Sequence, residues 1–462
     1  MQSIAFHRRE PRLGRLWPGL VVLAAGGLLA SGCVTAASPS PTATAILSPS
    51  PGATPQASAS ATPQASASPT LPPTPTPLPS VGTAPAGGWS GLRWISAGPV
   101  FPQTPVPSTQ NGDMRVSVFG WSGGYVGFRT AYDLSDTLQA TVALVSTYSA
   151  DGLHWTAGRP MDVEGLPDAS EGVAVTQVLD GPSGLLAVGE AFPPLICGGP
   201  PTVYALWTSP DGLTWTRVQP PADFASASVY TVDAGSIGYI ASGTLKDGVT
   251  QAVWLSGDGR SWRQVPLTKA TFGEFVVDGA TAFAAGYVVS GTVVGNEGCG
   301  GGTDLYTPSL WWSADGTSWT RSKLTGAVPA RDAWITVSRV SDHALMALAS
   351  RWDDASQTNL QQIWVTSDGQ AWNLVKSPSS MLSANILTNG QRGLLVLAPP
   401  DDGPPTIATV GDDLTVTTLS QAGDGPVASA TSPGWTSALG PTGVVVLSRD
   451  GLNLWLGVPM AP

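Results

Sequence analysis

The residues of this 462-residue chain with most chemistry to offer are carboxylates. Nine fall in segments between one apolar run and the next: Asp133 and Asp136, Glu190, Glu297 and Asp304, Asp353 and Asp354, Asp401 and Asp402. Clustered acid concentrates cations, so these segments form a candidate binding face for Ca2+ or for a basic partner surface. Two carboxylates facing a glycosidic bond would also suffice for its hydrolysis, although their separation in space is not written in the sequence. Exposed loops of an acidic chain are acidic in any case. Cys197-Gly-Gly and Cys299-Gly-Gly share a context, and an exported setting permits a disulfide between them. The three histidines, 7, 154 and 343, are scattered, and the chain carries no nucleophile elbow, phosphate loop or zinc spacing. No catalytic residue, no metal ligand set and no cofactor beyond that Ca2+ follows from these residues.

The elements that must position the acid are repeats. Five copies of one motif end in Trp155, Trp215, Trp262, Trp319 and Trp372, and their aspartates are Asp151, Asp211, Asp258, Asp315 and Asp368. The aspartates step by 60, 47, 57 and 53 residues, a period that implies stacked supersecondary units. Asp-Gly suits a two-residue hairpin turn, Ser or Thr two residues earlier can bond the turn backbone, and the Trp packs on the returning strand. A second turn alternates with the first: Leu179-Asp180-Gly181, Val232-Asp233-Ala234-Gly235, Val277-Asp278-Gly279, Val340-Ser341-Asp342 and Thr388-Asn389-Gly390. Each unit therefore reads strand A, turn, strand B, longer loop, strand C, Asp-Gly turn, strand D. The third is expected at 228–233, 238–243, 251–256 and 260–266.

Four short antiparallel strands per unit make the fold class all-β and the architecture a β-propeller. Val410–Val416 supplies a degenerate sixth turn, and 435–447 with 452–459 supplies strands A, B and C of a last blade without a strand D. Gly91-Leu92-Arg93-Trp94 matches Gly212-Leu213-Thr214-Trp215, so 90–97 is expected to close a seven-bladed ring as the missing outer strand. The alternative count takes Ser448-Arg449-Asp450-Gly451 as a further Asp-Gly hairpin. The loops between strands B and C, which carry the acid, leave one face, opposite the Asp-Gly turns. Of the 18 Trp, Trp207, Trp254, Trp311 and Trp364 belong to the core of strand C, whereas Trp121, Trp334 and Trp352 are the candidates for exposed aromatics.

The five motifs resemble the Asp-box, or BNR, repeat of the sialidase-like superfamily, in a form one residue shorter between Asp and Gly, from 90 to the end of the chain. The resemblance implies that Asp151, Asp211, Asp258, Asp315 and Asp368 are structural. Sialidase activity in that family uses three arginines, a Tyr–Glu nucleophile pair and an acid/base Asp. Phe128-Arg129-Thr130-Ala131, with Asp133 nearby, is the nearest match to the first arginine motif, lacks its Ile-Pro, and falls on an expected strand B.

Residues 1–32 read as a signal peptide: Arg8, Arg9, Arg12 and Arg15 precede an apolar run, and Ala30-Ser31-Gly32-Cys33 closes it. The small residues before Cys33 resemble a bacterial lipobox, which implies a lipid on Cys33 and display on the outer face of the cell membrane. Residues 33–87 are an Ala/Ser/Thr/Pro-rich stalk that cannot build a core, and 88–462 form the propeller domain. A net charge of −11 argues against nucleic acid as a partner. The function expected is that of a monomeric, non-catalytic module binding a cell-surface glycan or protein. The alternative is a divergent sialidase-like glycoside hydrolase.

Overall fold

A computed structural model describes residues 89–97, 114–131, 143–164, 173–191, 203–295, 305–326, 333–353, 358–375, 383–389, 393–398, 406–410, 416–422, 435–448 and 453–461. They form seven antiparallel blades, each read A to D in chain order. Blade one is Met114–Trp121, Gly124–Ala131, Ala143–Ser149 and Thr156–Pro160. Blade two is Val173–Gly181, Gly184–Ala191, Val203–Ser209 and Thr216–Val218. Blade three is Ser228–Gly235, Gly238–Thr244, Gln251–Ser256 and Arg263–Gln264. Blade four is Phe275–Phe283, Gly286–Gly295, Leu305–Ser313 and Thr320–Arg321. Blade five is Trp334–Ser341, Ala344–Asp353, Thr358–Thr366 and Ala371–Val375. Blade six is Ser383–Thr388, Gly393–Ala398, Thr406–Val410 and Val416–Thr418.

Blade seven takes Trp435–Leu439, Val444–Ser448 and Leu454–Met460 from the C-terminal end and Gly91–Ala97 from the other, paired antiparallel from Gly91↔Met460 to Ala97↔Leu454. The ring is thus closed by the early strand, and Asp450-Gly451, outside the described residues, falls between strands B and C of blade seven rather than between strands C and D. Two features go beyond the repeat. Lys323–Leu324, leaving blade four, adds in parallel to strand D of blade five, and Ser420–Ala422, leaving blade six, adds in parallel to Gly91–Ala97. Both cover an outer edge that would otherwise offer unpaired backbone groups.

The alternating apolar residues of each blade face both ways, and the described core is one cluster per seam. Blades one and two share Phe128, Trp207 and Trp215; two and three share Leu206, Tyr239 and Trp254; three and four share Leu255, Phe272 and Trp311. Blades four and five share Phe283, Ile335 and Trp364, five and six share Val340, Ile363 and Ala408, six and seven share Leu92, Leu394 and Val446, and seven and one share Val118, Tyr125 and Leu456. Trp207, Trp254, Trp311 and Trp364 are all buried on strand C. Two single-turn helices, Ala222–Ala225 and Lys269–Phe272, each drop one phenylalanine into a seam: Phe224 lies 5.2 Å from Trp254 and Phe272 lies 5.3 Å from Trp311.

The Asp-Gly turn is wider than the two-residue hairpin expected from it. Ser149 ends strand C of blade one and Thr156 begins strand D, with six residues between them. Side chains take over the backbone donors. Ser149 Oγ accepts the Gly152 N–H at 2.8 Å and donates to Asp151 Oδ1 at 3.1 Å, and Asp151 Oδ1 accepts the N–H groups of Leu153 and His154 at 2.8 Å. The same three N–H bonds recur on Ser209/Asp211, Ser256/Asp258, Ser313/Asp315 and Thr366/Asp368. Burial works to raise the Asp211 carboxyl, but the amides of Thr214 and Leu213 outweigh it and hold it below its ordinary value. The turn glycine has φ between 71° and 81° in all five copies and rests on the preceding blade.

A methyl group on Gly316 would sit 2.0 Å from Leu255 Cδ1 of blade three, at φ +71°, whereas one on Gly257 would meet nothing within 4 Å. Gly316→Ala should therefore cost about 1–3 kcal/mol from the left-handed backbone and the clash, and Gly257→Ala less than ~0.5 kcal/mol. Urea unfolding of the two variants checks this; equal midpoints would remove the seam contact as the reason for that glycine.

Candidate functional site at the ring mouth

The first strands of successive blades contact one another around the ring, so strands A line its axis. They start on the face from which the B–C loops leave, and their opening residues surround one axial mouth. Toward the mouth, blades two, three and four carry a β-bulge in strand A, at Val175/Gln177, Val229/Thr231 and Val277/Gly279, while that of blade five, at Arg339/Ser341, lies toward the A–B turn. The extra residues are Thr176, Tyr230 and Asp278. A bulge re-aims a side chain, and bulges concentrate beside functional sites. Beside them, Trp334 opens strand A of blade five and is 53% exposed, Tyr230 is 42% exposed and Val276 is 42% exposed. Three of the six exposed large apolar side chains among the described residues thus lie on adjacent inner strands, the others being Ile237, Val249 and Leu374.

Asp278 is the carboxylate among them. Burial pushes it up to about 6, against the Thr292 hydroxyl, which donates to its Oδ2 at 3.2 Å, and the Ile335 N–H, both of which favour the anion. Two hydroxyls near it are buried without a hydrogen-bond partner, Ser290 Oγ, on the residue paired with Gly279, and Ser350 Oγ, on the residue paired with Trp334. The Gln177 amide oxygen on blade two is a third. They are three of nine such atoms among the described residues, the others lying elsewhere in the ring.

The layer just inside the mouth shows where the repeat is broken. Six residues after the first residue of strand B stand Thr130, Glu190, Thr244, Thr292 and Ser350 in blades one to five. Thr130 Oγ1 donates to Val173 O at 3.0 Å, and Thr244 Oγ1 lies 3.1 Å from the Tyr230 hydroxyl. Glu190 alone replaces a hydroxyl by a carboxylate, and burial raises its pKa.

At the opposite end of the axis a second polar group spans three blades. Asp233 Oδ2 accepts the Ala282 N–H at 3.3 Å, and the buried Arg339 guanidinium donates to Asp342 Oδ1 at 2.8 Å. Burial pushes Asp233 up to about 6 despite the charge of Arg339.

Of the sequence-derived candidates, Glu190 is at the mouth. Asp353 ends strand B of blade five with its backbone paired to Thr358, and its side chain lies outside the described residues. Asp133, Asp136, Glu297, Asp304, Asp354, Asp401, Asp402, Cys33, Cys197 and Cys299 also lie outside them. Arg129 lies on strand B, with its pKa lowered by burial. Trp334 is exposed as expected, Trp121 is half-buried, and the Trp352 side chain is not described. His154 Nδ1 stands 2.7 Å from Asp151 Oδ2 in the first turn. Among the described residues no three His, Cys, Asp or Glu side chains gather as a metal would require. Tyr204, Tyr230 and Ser350 escaped the sequence reading, and Asp278, expected in the A–B turn of blade four, instead lies in strand A, the turn falling at Ala284-Ala285 because the strand continues past a bulge; aligning the five blades at the start of strand B would have exposed Glu190 and the bulge residues as departures from the repeat.

No family model matches the chain, and no curated protein does either. Solved structures are similar to it at low identity. One is a prolyl endopeptidase, 12% identical with a TM-score of 0.42, covering 76% of this chain and 48% of its own, so that the chain spans about half the length of that enzyme. Another is the Penicillium chrysogenum α-L-arabinanase complexed with arabinobiose, 15% identical with a TM-score of 0.32, covering 70% of this chain and 97% of that one. A third is Zg3597, a family 117 glycoside hydrolase from the marine bacterium Zobellia galactanivorans, 14% identical with a TM-score of 0.28, covering 60% and 90%. Likeness at these values says nothing of substrate or chemistry.

An acid whose pKa is higher folded than unfolded binds more protons in the folded state, so its stabilising effect is full below about 4 and is lost as pH rises to about 6. Asp278→Asn removes that loss. The melting temperature of the variant relative to the wild type should rise by roughly 2–4 °C between pH 4 and pH 8. A difference independent of pH would show that Asp278 is not held above its ordinary range.

Proposed function

We propose that the chain is a glycan-binding propeller that takes a saccharide at the axial mouth. One observation carries this reading: exposed aromatic side chains, Trp334 and Tyr230, stand on inner strands on either side of Asp278. A pyranose offers apolar C–H faces to aromatic rings and hydroxyls to a carboxylate, the mixture of a wide apolar wall and few polar groups that small-molecule sites use. The signal peptide and the lipid on Cys33 belong to the same proposal: an exported monomer tethered by its stalk would meet glycans at the cell surface.

A second reading is favoured by the Asp278 carboxyl itself. A group that titrates at about 6 can give a proton to a leaving glycosidic oxygen near neutral pH, the role of a general acid in glycoside hydrolysis. Sialidase-like specificity is the narrower form of that reading and would need arginines at the mouth.

The test is titration of the full chain with neutral and acidic oligosaccharides, followed by tryptophan fluorescence and by assay of released reducing ends. A saturable change that Trp334→Ala weakens about tenfold supports the site, since one stacked ring contributes on the order of 1 kcal/mol. Release of sugar that Asp278→Asn abolishes makes the chain a hydrolase. Binding without release leaves it a binding module. Wild-type affinity in Trp334→Ala overturns the mouth as the site.

A further inference from the structure

Glu190 stands at the seam between blades two and three, and its surroundings differ from those of every other carboxylate described at the mouth. Residues two apart on a strand share a face. Leu186 and Val188, on strand B of blade two, lie in the core shared with blade three, and Glu190 continues that row toward the mouth. Across the sheet its direct partner is Tyr204, which packs on the same core. The Tyr204 hydroxyl crosses the seam and donates to Val229 O at 2.8 Å. The next residue is Tyr230, the exposed bulge residue of blade three, whose hydroxyl is engaged with Thr244 Oγ1 at 3.1 Å. The carboxylate is close enough to raise the pKa of the Tyr204 phenol, after burial, and the Tyr230 phenol adds to the effect.

Asp278 receives a hydroxyl and an amide, but among the described residues Glu190 receives no hydrogen bond and no cation pairs with it. The Tyr204 hydroxyl is already spent on Val229 O, and the Tyr230 hydroxyl is engaged with Thr244 Oγ1. A half-buried carboxylate without a donor or counter-charge is costly, and blades one, three, four and five use a neutral hydroxyl at this register. An aromatic side chain paired across the sheet with one unpaired carboxylate, and a second next to it across the seam, make the chemistry that receives an ammonium group: ring faces attract a cation, and the carboxylate completes a charge-assisted bond. A divalent metal is a poorer fit, because one carboxylate supplies too few oxygen ligands.

We propose that Glu190, Tyr204 and Tyr230 form a subsite for a protonated amine, and that the saccharide taken at the mouth carries free amino groups, as a de-N-acetylated amino-sugar oligomer does. This rests on the glycan reading, because Tyr230 belongs to both. An N-acetylated sugar presents a neutral amide there and gains nothing from the carboxylate.

The experiment compares full-chain binding of a glucosamine pentamer, an N-acetylglucosamine pentamer and a neutral glucose pentamer by calorimetry at pH 6, where the amines are largely protonated. The glucosamine pentamer should bind about tenfold more tightly than the acetylated one, and Glu190→Gln should erase the preference while keeping the weaker affinity for the neutral oligomer. Glu190→Gln keeps the shape of the side chain, and its melting curve reports that it folds. Equal affinities in the wild type, or a preference that survives Glu190→Gln, overturn the amine subsite and leave glycan binding standing. Binding of a lysine-rich peptide with no binding of the glucosamine pentamer overturns it in favour of a protein partner. If none of the sugars binds and no such peptide binds, both the glycan reading and the subsite fall.

Discussion

A four-stranded sheet that is apolar on both faces is stable in water only between two others, and every other feature of this ring answers to that constraint. The described core is divided among seven seams, each built from the side chains of two neighbouring blades. No blade could keep its buried tryptophans dry alone. An open ring would leave one seam in water, so the two ends of the chain must meet. Gly91–Ala97 supplies the outer strand of blade seven, while Tyr125 of blade one buries its ring in the seam with blade seven and donates to Gly443 O at 2.8 Å. Burial raises the pKa of Tyr125 against the lowering bonds to Thr442 and Gly443, which keeps the phenol a donor.

The same contact explains why one face is uniform and the other is not. Tyr239 reaches from blade three to Gly184 O at 2.8 Å, and Tyr287 reaches from blade four to Ile237 O at 3.3 Å, so strand B repeatedly anchors itself to the A–B turn of the blade before it. Gly181 and Gly440 lie where those rings pass; a methyl group on either would come within 2.3 Å of Tyr239 or Tyr125. The Asp-Gly turn lies on that face too, with its glycine against the preceding blade. The locking that repeats from blade to blade is therefore gathered at the turn end, whereas at the mouth Thr130 and Tyr204 make single contacts with a carbonyl of the next blade. The strand ends at the mouth are free to differ.

That division decided what the sequence could disclose. The repeat, the four-strand blade, the burial of Trp207, Trp254, Trp311 and Trp364, and closure by 90–97 were legible because each blade meets the same packing problem with the same residues. The width of the Asp-Gly turn was not, since Asp-Gly alone suggests two residues and only the Ser and Asp side chains, bonded to three backbone N–H groups, make six the stable length. Nor were the bulges, because an inserted residue in one strand leaves no mark in a local pattern and appears only when blades are aligned. Glu190 was singled out as one acid among nine, on grounds of loop position; its significance comes instead from the strand register, where Thr130, Thr244, Thr292 and Ser350 occupy the equivalent place. Most of the other acids, and both later cysteines, lie outside the described residues.

Departures from the repeat at the mouth are also where the fold tolerates them best. Glu190, Asp278 and Trp334 stand at or near the ends of strands, beyond the tyrosine anchors and the turn side chains that hold each seam. The energetic penalty of an unpaired carboxylate or an exposed indole at such a place is borne by one seam and is not passed to the next, because each blade touches only its neighbours. Five of those seams contain none of the bulge residues of blade three, so the ring can keep Tyr230 in water and Glu190 without a counter-charge while the remaining seams hold their cores. Uniformity at one end of the axis is what allows chemistry to differ at the other.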